Sequence, residues 1–455
     1  MESKRLVLDV WERPKWYRWI LLSLQHVFAM FGATVLVPIL TGLDVGVALI
    51  GAGVGTLIYI ALTKAKVPMF LGSSFAYIAA IITSFKISGN NFNGALTGII
   101  IVGIIYCIVA LVIHFFGVKW LKWLLPSVIV GPMIIVIGLS LAPVAVGQIM
   151  YLGGDAANGA ADWKYYLVAV ITFLTIVIVA VKAKGFSKII PFLFGIGAGY
   201  IASLAVGIVD YDLFKGIQFL SVPNFQFIGT YKPDFSALAI FAPLAFVTIM
   251  EHIGDHQVLG SIMDRDFLEE PGLARTLAGD GVATLVAGAM GAPANTSYGE
   301  NTGVVAMTKV GSVWVTGLAA VIAILLAFIS PINVFIRSIP TPVLGGMSLV
   351  LFGMISANGL KVIVEDKVDL TDTRNIIIIS IMLVVGLGGM VIAFTDVIKL
   401  ETMALAAVIG ILLNLLFKLL DYLFVGKEVW QERKTISQEK RQARREKRLA
   451  KKEEK

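Results

Sequence analysis

Along this 455-residue chain, apolar residues come in long uninterrupted runs, not in helical stripes or strand-like alternation. Ile99 to Phe116 contains no Asp, Glu, Lys or Arg, and Tyr165 to Val181, Ala237 to Met250, Ile376 to Phe394 and Met403 to Phe417 are similar. Most approach or reach the roughly 20 residues that an α-helix needs to cross a bilayer core. Runs and punctuation together predict about 14 spans. They start near residues 17, 45, 67, 96, 120, 163, 188, 235, 272, 296, 312, 339, 374 and 402. The fold expected is an all-α polytopic membrane protein. The first run begins at Trp19 and continues as an ordinary span, so no cleavable leader is expected.

Two runs depart from this pattern. The third opens Val67-Pro-Met-Phe-Leu-Gly-Ser-Ser-Phe-Ala-Tyr, and the tenth opens Gly291-Ala-Pro-Ala-Asn-Thr-Ser-Tyr-Gly-Glu-Asn-Thr-Gly. Their first halves are too polar for lipid, and extended backbone at membrane depth is tolerated only inside protein or along a cavity. Broken segments at matching places in two halves point to a transporter's binding site. The halves do match. Ser74-Phe75-Ala76 echoes Ser297-Tyr298-Gly299, and Gln25-His26 echoes Glu251-His252 at nearly the same offset. Seven spans per half is an odd number, which inverts the second half relative to the first.

Composition agrees with lipid as the solvent: 58% of residues are hydrophobic and 15% charged, against about half and a quarter in soluble domains. Much of the net charge of +7 lies in residues 427–455, which read as a basic cytoplasmic tail brushing anionic lipid and not as a nucleic-acid arm. Elsewhere the segments placed inside hold about 18 Lys and Arg, Lys64, Lys66, Lys182, Lys184 and Lys188 among them. Those placed outside hold Lys86, Lys164, Lys215, Lys232, Arg337 and Lys399. Both termini are therefore expected in the cytoplasm. The one cysteine, Cys107, excludes disulfides within the chain and Cys-based metal sites.

Charge inside spans is costly, so each such residue is a functional candidate. Glu251 closes an apolar run, and Asp255 lies four residues on, on the same helical face. Glu300 stands where extended chain should give way to helix. Carboxylates meeting near the midplane suit a ligand with N–H donors, while backbone N–H groups of Phe75 and Gly299 near half-helix starts suit its carbonyls. The ligand implied is small and flat, with Phe75, Tyr298 and Phe352 as flat surfaces beside it. Blander readings stand next to these. Glu251 could end a helix at the aqueous boundary, Glu300 could cap its own half-helix, and Asp255 could belong to the following loop. His26 and His252 read as structural donors, Asp280 as an isolated packing or hydrogen-bonding group, and His114 and His256 as loop-end residues. Asp264, Asp266, Glu269 and Glu270 read as a solvated face. No nucleophile-and-base set, cofactor motif or metal site is evident. A membrane-embedded enzyme and a channel are the competing classes.

Glu300-Asn301-Thr302-Gly303-Val304-Val305-Ala306-Met307-Thr308-Lys309 resembles the signature of the nucleobase–ascorbate transporter family and meets its every fixed position. Gln25-His26 resembles the family's first-span motif, and Glu251-His252-Ile253-Gly254 its eighth-span motif. The likeness runs from about Leu8 to Phe424. It implies two inverted seven-span repeats, with short strands of spans 3 and 10 pairing antiparallel. A core (residues 17–117 and 235–330) would move against a gate (118–234 and 331–425), between an N-terminal segment (1–16) and a tail (426–455). It further implies proton symport of a nucleobase across a bacterial cytoplasmic membrane, often by a dimer, without cofactor. A glutamate opening the signature resembles the uracil branch; the purine branch (xanthine or urate), usually glutamine there, is the alternative. Carried over, Glu251, Glu300 and the backbones of Phe75 and Gly299 contact substrate. Ala33, Tyr298 and Phe352 line the pocket, Gln25, His26 and Asn301 support it, and Asp255, Glu251 or Glu300 couples the proton. Asp255 stands where some uracil carriers have histidine, and Phe352 where some have tyrosine.

Overall fold

A computed structural model describes residues 6–188, 190–393 and 399–423; the basic tail lies outside them. The first half contains α1 (Trp16–Thr41), α2 (Val45–Leu62), β1 (Leu71–Ser73), α3 (Ile78–Ile87), α4 (Asn93–Phe116), α5 (Lys119–Leu124), α6 (Ser127–Ser140), α7 (Ala142–Met150), α8 (Trp163–Lys182) and α9 (Pro191–Val206). The second contains α10 (Leu238–Met263), α11 (Leu273–Met290), β2 (Asn295–Ser297), α12 (Gly299–Thr308), α13 (Val313–Ala327), α14 (Ser330–Arg337), α15 (Thr341–Glu365), α16 (Thr373–Leu387), β3 (Val391–Ala393) and β4 (Lys399–Glu401). A last helix, α17 (Thr402–Leu423), follows. Among the described residues, eight helical segments are long and apolar enough to cross a membrane, with α6 and α7 taken as one. The chain is thus a helical, multi-pass membrane protein. Exposed apolar stripes agree: Ile104, Ile108, Leu111 and Phe115 on α4, and Leu167, Val170, Leu174, Ile178 and Val181 on α8, recur at helical spacing.

The fifth span, expected from near 120, begins after a break at Pro126, with α5 as a separate turn before it. The apolar run to Phe394 also stops early as a helix. α16 ends at Leu387, followed by Gly388 and by Gly389 at φ 75°, and β3 then pairs antiparallel with β4. That second strand pair is a correction to an all-helical remainder.

The broken segments meet. β1 and β2 pair antiparallel as Leu71 with Ser297, Gly72 with Thr296 and Ser73 with Asn295. Bonds from Ser74 N–H to Ala294 O (2.9 Å) and Tyr298 N–H to Phe70 O (3.0 Å) extend the ladder. Ser74 and Ser297 stand 223 positions apart. Exchanging residues by that offset turns the Gly72–Thr296 pair into the Ser73–Asn295 pair, so the register is its own image. Helix packing follows the same exchange: α4 lies on α11 as α13 lies on α2. A threonine also ties each strand to a helix of its own half. The Thr56 hydroxyl on α2 bonds Leu71 O (3.3 Å), and that of Thr284 on α11 bonds Asn295 O (3.2 Å).

Polar contacts sort the connections onto two faces. On one, Leu8 pairs with Val310, Arg265 donates to both carboxylate oxygens of Asp9 (2.9 and 2.7 Å), and Lys66 pairs with Glu270. The hydrogen bond from Lys66, with its charge, holds Glu270 below the usual carboxylate range. On the other, Arg337 pairs with Asp44 (2.6 Å), Ser88 donates to Asp234 (2.6 Å), and Ser221 N–H bonds Phe328 O (3.0 Å).

Candidate functional site

At the strand crossing, β1 runs into a 3₁₀ turn at Phe75–Tyr77 leading to α3, and β2 runs through Tyr298 into α12. Neither Ser74 nor Tyr298 caps its half-helix with a side chain. The first N–H groups, those of Phe75 and Gly299, therefore have no intrahelical partner and point where the helix dipoles favour an acceptor. Tyr298 is occupied elsewhere. Its hydroxyl donates to Ser73 O (2.8 Å) and accepts from Thr34 (3.2 Å), and the ring is 2% exposed beneath the strands.

α10 crosses this point. Glu251 and Asp255 lie within the helix, which continues to Met263; Asp255 is about 12 Å short of that end at 1.5 Å per residue. It belongs to the helix and not to the loop. An added Cβ on Gly299 would lie 4.0 Å from Asp255 Oδ1, which fixes the approach of α10 to the start of α12. Phe75, Glu251, Asp255 and Glu300 are half-buried and Gly299 exposed, among buried Ser74, Ala76, Tyr77, His252, Ser297 and Asn301. The strand pairing and the approach of α10 to α12 bring these segments into one neighbourhood. Glu251 and Asp255 each lie within electrostatic reach of Glu300. Among the described residues, none of the three carboxylates pairs with a Lys or Arg or accepts from another side chain. Acceptors on α10 and α12, and donors at two helix starts, thus lie near one crossing.

The supporting residues divide. Asn301 Nδ2 donates to His26 O (3.1 Å) and lies 3.0 Å from its Nδ1, clamping α12 to α1. Gln25 Oε1 is buried with no partner among the described residues. Ala33 packs in one apolar cluster with Tyr298, and Phe352, 2% exposed, in another; Phe75 touches both.

Behind the carboxylates stands a group that the sequence left scattered. His252 Nδ1 is 2.7 Å from Asp280 Oδ2 and its Nε2 is 3.0 Å from Thr276 Oγ1, while Ser297 donates to Asp280 Oδ2 (3.3 Å). His256 Nδ1 donates to His252 O (2.7 Å), which leaves its Nε2 to accept from the Tyr59 hydroxyl (2.5 Å). Asp280 is therefore not isolated, and His256 is a buried helix residue. Thr276 and Asp280 share an i, i+4 face, as do His252 and His256. That spacing was the available signal.

The sequence profile described as "Permease family" matches residues 17–393. Uracil permease of Bacillus caldolyticus is 44% identical over 413 residues, covering 90% of this chain and 94% of that one. Uracil permease of Bacillus subtilis is 43% identical over 423 residues (91% and 96%), and that of Escherichia coli K12 40% over 421 (92% and 96%). The chain belongs to the nucleobase–ascorbate transporter family. Solved structures add the fold alone. The transmembrane domain of the cyanobacterial bicarbonate transporter BicA superposes with a TM-score of 0.59 at 13% identity, over 90% of this chain and 99% of that one. SLC26A9 gives 0.63 at 13%, over 89% and 66%. In this family member the signature's Glu300 stands in the first turn of α12, while its Asn301 and the first-span His26 hold that helix in place.

Proposed function

We propose that this chain carries uracil into the cell together with a proton, by movement of a core against a gate. The observation that carries this reading is the strand crossing that sets two uncapped half-helix starts beside α10, whose Glu251 and Asp255, like Glu300, have no Lys or Arg partner among the described residues, in a chain 40–44% identical to uracil permeases. Carboxylates accept from ring N–H groups, and the Phe75 and Gly299 amides donate to ring carbonyls. Glu251 and Glu300 are assigned to the ring, and Asp255 to the proton. Uracil is neutral, so a proton lowers the charge that the loaded site carries past apolar surface.

Packing supports the division into core and gate. α1 to α4 pack with α10 to α13, and α6 to α9 with α15 and α16. The groups meet where α1 touches α9 and α10 touches α6, with Phe75 between their apolar clusters. We place the chain in a bacterial cytoplasmic membrane, crossing about fourteen times, with the N-terminal face inside by the positive-inside rule. The homodimer implied by the resemblance is tested by the mass of the detergent-solubilised particle. The deciding experiment is counterflow of labelled uracil in proteoliposomes with competing bases. Uracil should exchange saturably, and an imposed inward proton gradient should concentrate it. Competition by xanthine or urate without uracil exchange would replace uracil with a purine. Exchange without gradient-driven accumulation would remove the proton.

A further inference from the structure

The strand ladder fixes the Phe75 and Gly299 amides against each other, but its bonds do not reach α10, which carries Glu251 and Asp255. Two polar contacts tie α10 to the crossing at successive turns. From the second half, Ser297 of β2 brings its Oγ 3.4 Å from His252 Nδ1. From the first half, the Tyr77 hydroxyl lies 2.6 Å from Thr248 Oγ1. Among the described residues, this is the hydrogen bond that joins the turn Phe75–Tyr77 to α10. Glu251 stands between the two contacts, three residues after Thr248 and one before His252.

Tyr77 and Thr248 are both buried. The Thr248 hydroxyl has the carbonyls of Leu244 and Ala245, on its own helix, at 3.1 Å each. With its single hydrogen given to one of these, it accepts from the Tyr77 O–H. The Tyr77 ring also stacks on Phe241 of α10, with centroids 5.8 Å apart and planes 6° apart. Phe241 is wedged in turn against α4, since a Cβ added to Gly98 would stand 2.3 Å from its ring. Phe241, Thr248 and Asp255 follow at seven-residue spacing and so share one face of α10. Glu251 lies about 4.5 Å along the axis from Thr248. We propose that Tyr77 is a positioning residue for the substrate site: its bond to Thr248 holds Glu251 in register with the Phe75 amide. The proposal rests on the uracil reading above. A small rigid ring meets an acceptor on α10 and a donor at the half-helix start together only while their separation is fixed. Slack between them weakens both contacts at once.

Tyr77→Phe removes the hydroxyl and keeps the stacked ring. Thr248→Val removes its partner at nearly constant volume, and Thr248→Ser retains it. In counterflow of labelled uracil, Tyr77→Phe and Thr248→Val should each raise the half-saturating concentration about three- to tenfold, with the maximal rate within about twofold of the parent. The double variant should be no weaker than the weaker single, because both substitutions remove one bond. Thr248→Ser should stay within about twofold of the parent. Parental half-saturation in Tyr77→Phe or Thr248→Val, losses that multiply in the double variant, or a fall in maximal rate alone overturns the positioning role. A merely structural bond changes how much protein folds and not how tightly it binds. Should Tyr77→Phe not fold, Thr248→Ser as weak as Thr248→Val overturns the role equally. A parent that exchanges xanthine and not uracil overturns the uracil reading alone, and the same variants then decide the bond with xanthine. A parent that exchanges no base overturns both.

Discussion

Gly72 lies at the centre of the strand crossing, where a methyl group has no room. A Cβ there would stand 2.4 and 2.5 Å from two Tyr298 ring carbons and 2.8 Å from Thr34 Oγ1. Carbon atoms settle at about 3.5–4.0 Å, so Gly72→Ala must move the Tyr298 ring by about an ångström. The ring is buried and its hydroxyl is held by the Ser73 carbonyl at 2.8 Å, so moving it strains or breaks that bond. Overpacking costs about 1–3 kcal/mol, and a lost hydrogen bond adds about 0.5–1.5 kcal/mol. The expected penalty is about 2–4 kcal/mol. Part of it should appear as weaker uracil binding, because β1 and β2 lead directly to Phe75 and Gly299. The assay pairs thermal unfolding in detergent with equilibrium binding of labelled uracil. Tyr298→Leu removes the obstructing carbons, so the double variant should be less damaged than the two singles combined, with a coupling of about 1–2 kcal/mol. A Gly72→Ala protein with parental melting and affinity, or strictly additive damage in the double variant, would refute the tight crossing.

Glu300→Gln places an amide donor opposite a ring N–H and should weaken uracil binding by about 1–3 kcal/mol, roughly 5- to 150-fold; unchanged affinity in detergent removes Glu300 from the contact. Asp255→Asn holds the side chain neutral, so binding and counterflow should persist while gradient-driven accumulation is lost. Parental accumulation by that variant would shift the coupling to Glu251. Lys86→Cys and Glu269→Cys, in a background without Cys107, should react with an impermeant maleimide from opposite sides of the membrane; labelling of both from one side would defeat the topology.

The spans were legible because lipid demands apolar length, and the crossing because two segments broke that demand at matching places. Glu251, Asp255 and Glu300 were legible as charges inside spans. What stayed hidden depends on partners distant in sequence. Asp280 looked solitary because His252 reaches it from another helix, 28 residues away. Tyr298 looked like a pocket wall, yet its hydroxyl is bound to Ser73 of the opposite half. The turn after α16 was marked only by Gly388-Gly389 inside an otherwise apolar run.

The pairing of β1 with β2 also has a consequence in time. A ribosome making this chain delivers residues 71–73 long before residues 295–297. At about 5–20 residues per second, that interval is roughly ten to forty-five seconds. Throughout it, backbone groups of β1 at membrane depth lack the strand that satisfies them, at a cost of several kcal/mol for each group left dry. The first half of the chain must therefore wait beside water, lipid headgroups or the insertion machinery, and the crossing can close only when β2 arrives. Substitutions that delay that arrival should lower yield without touching the affinity of the molecules that mature.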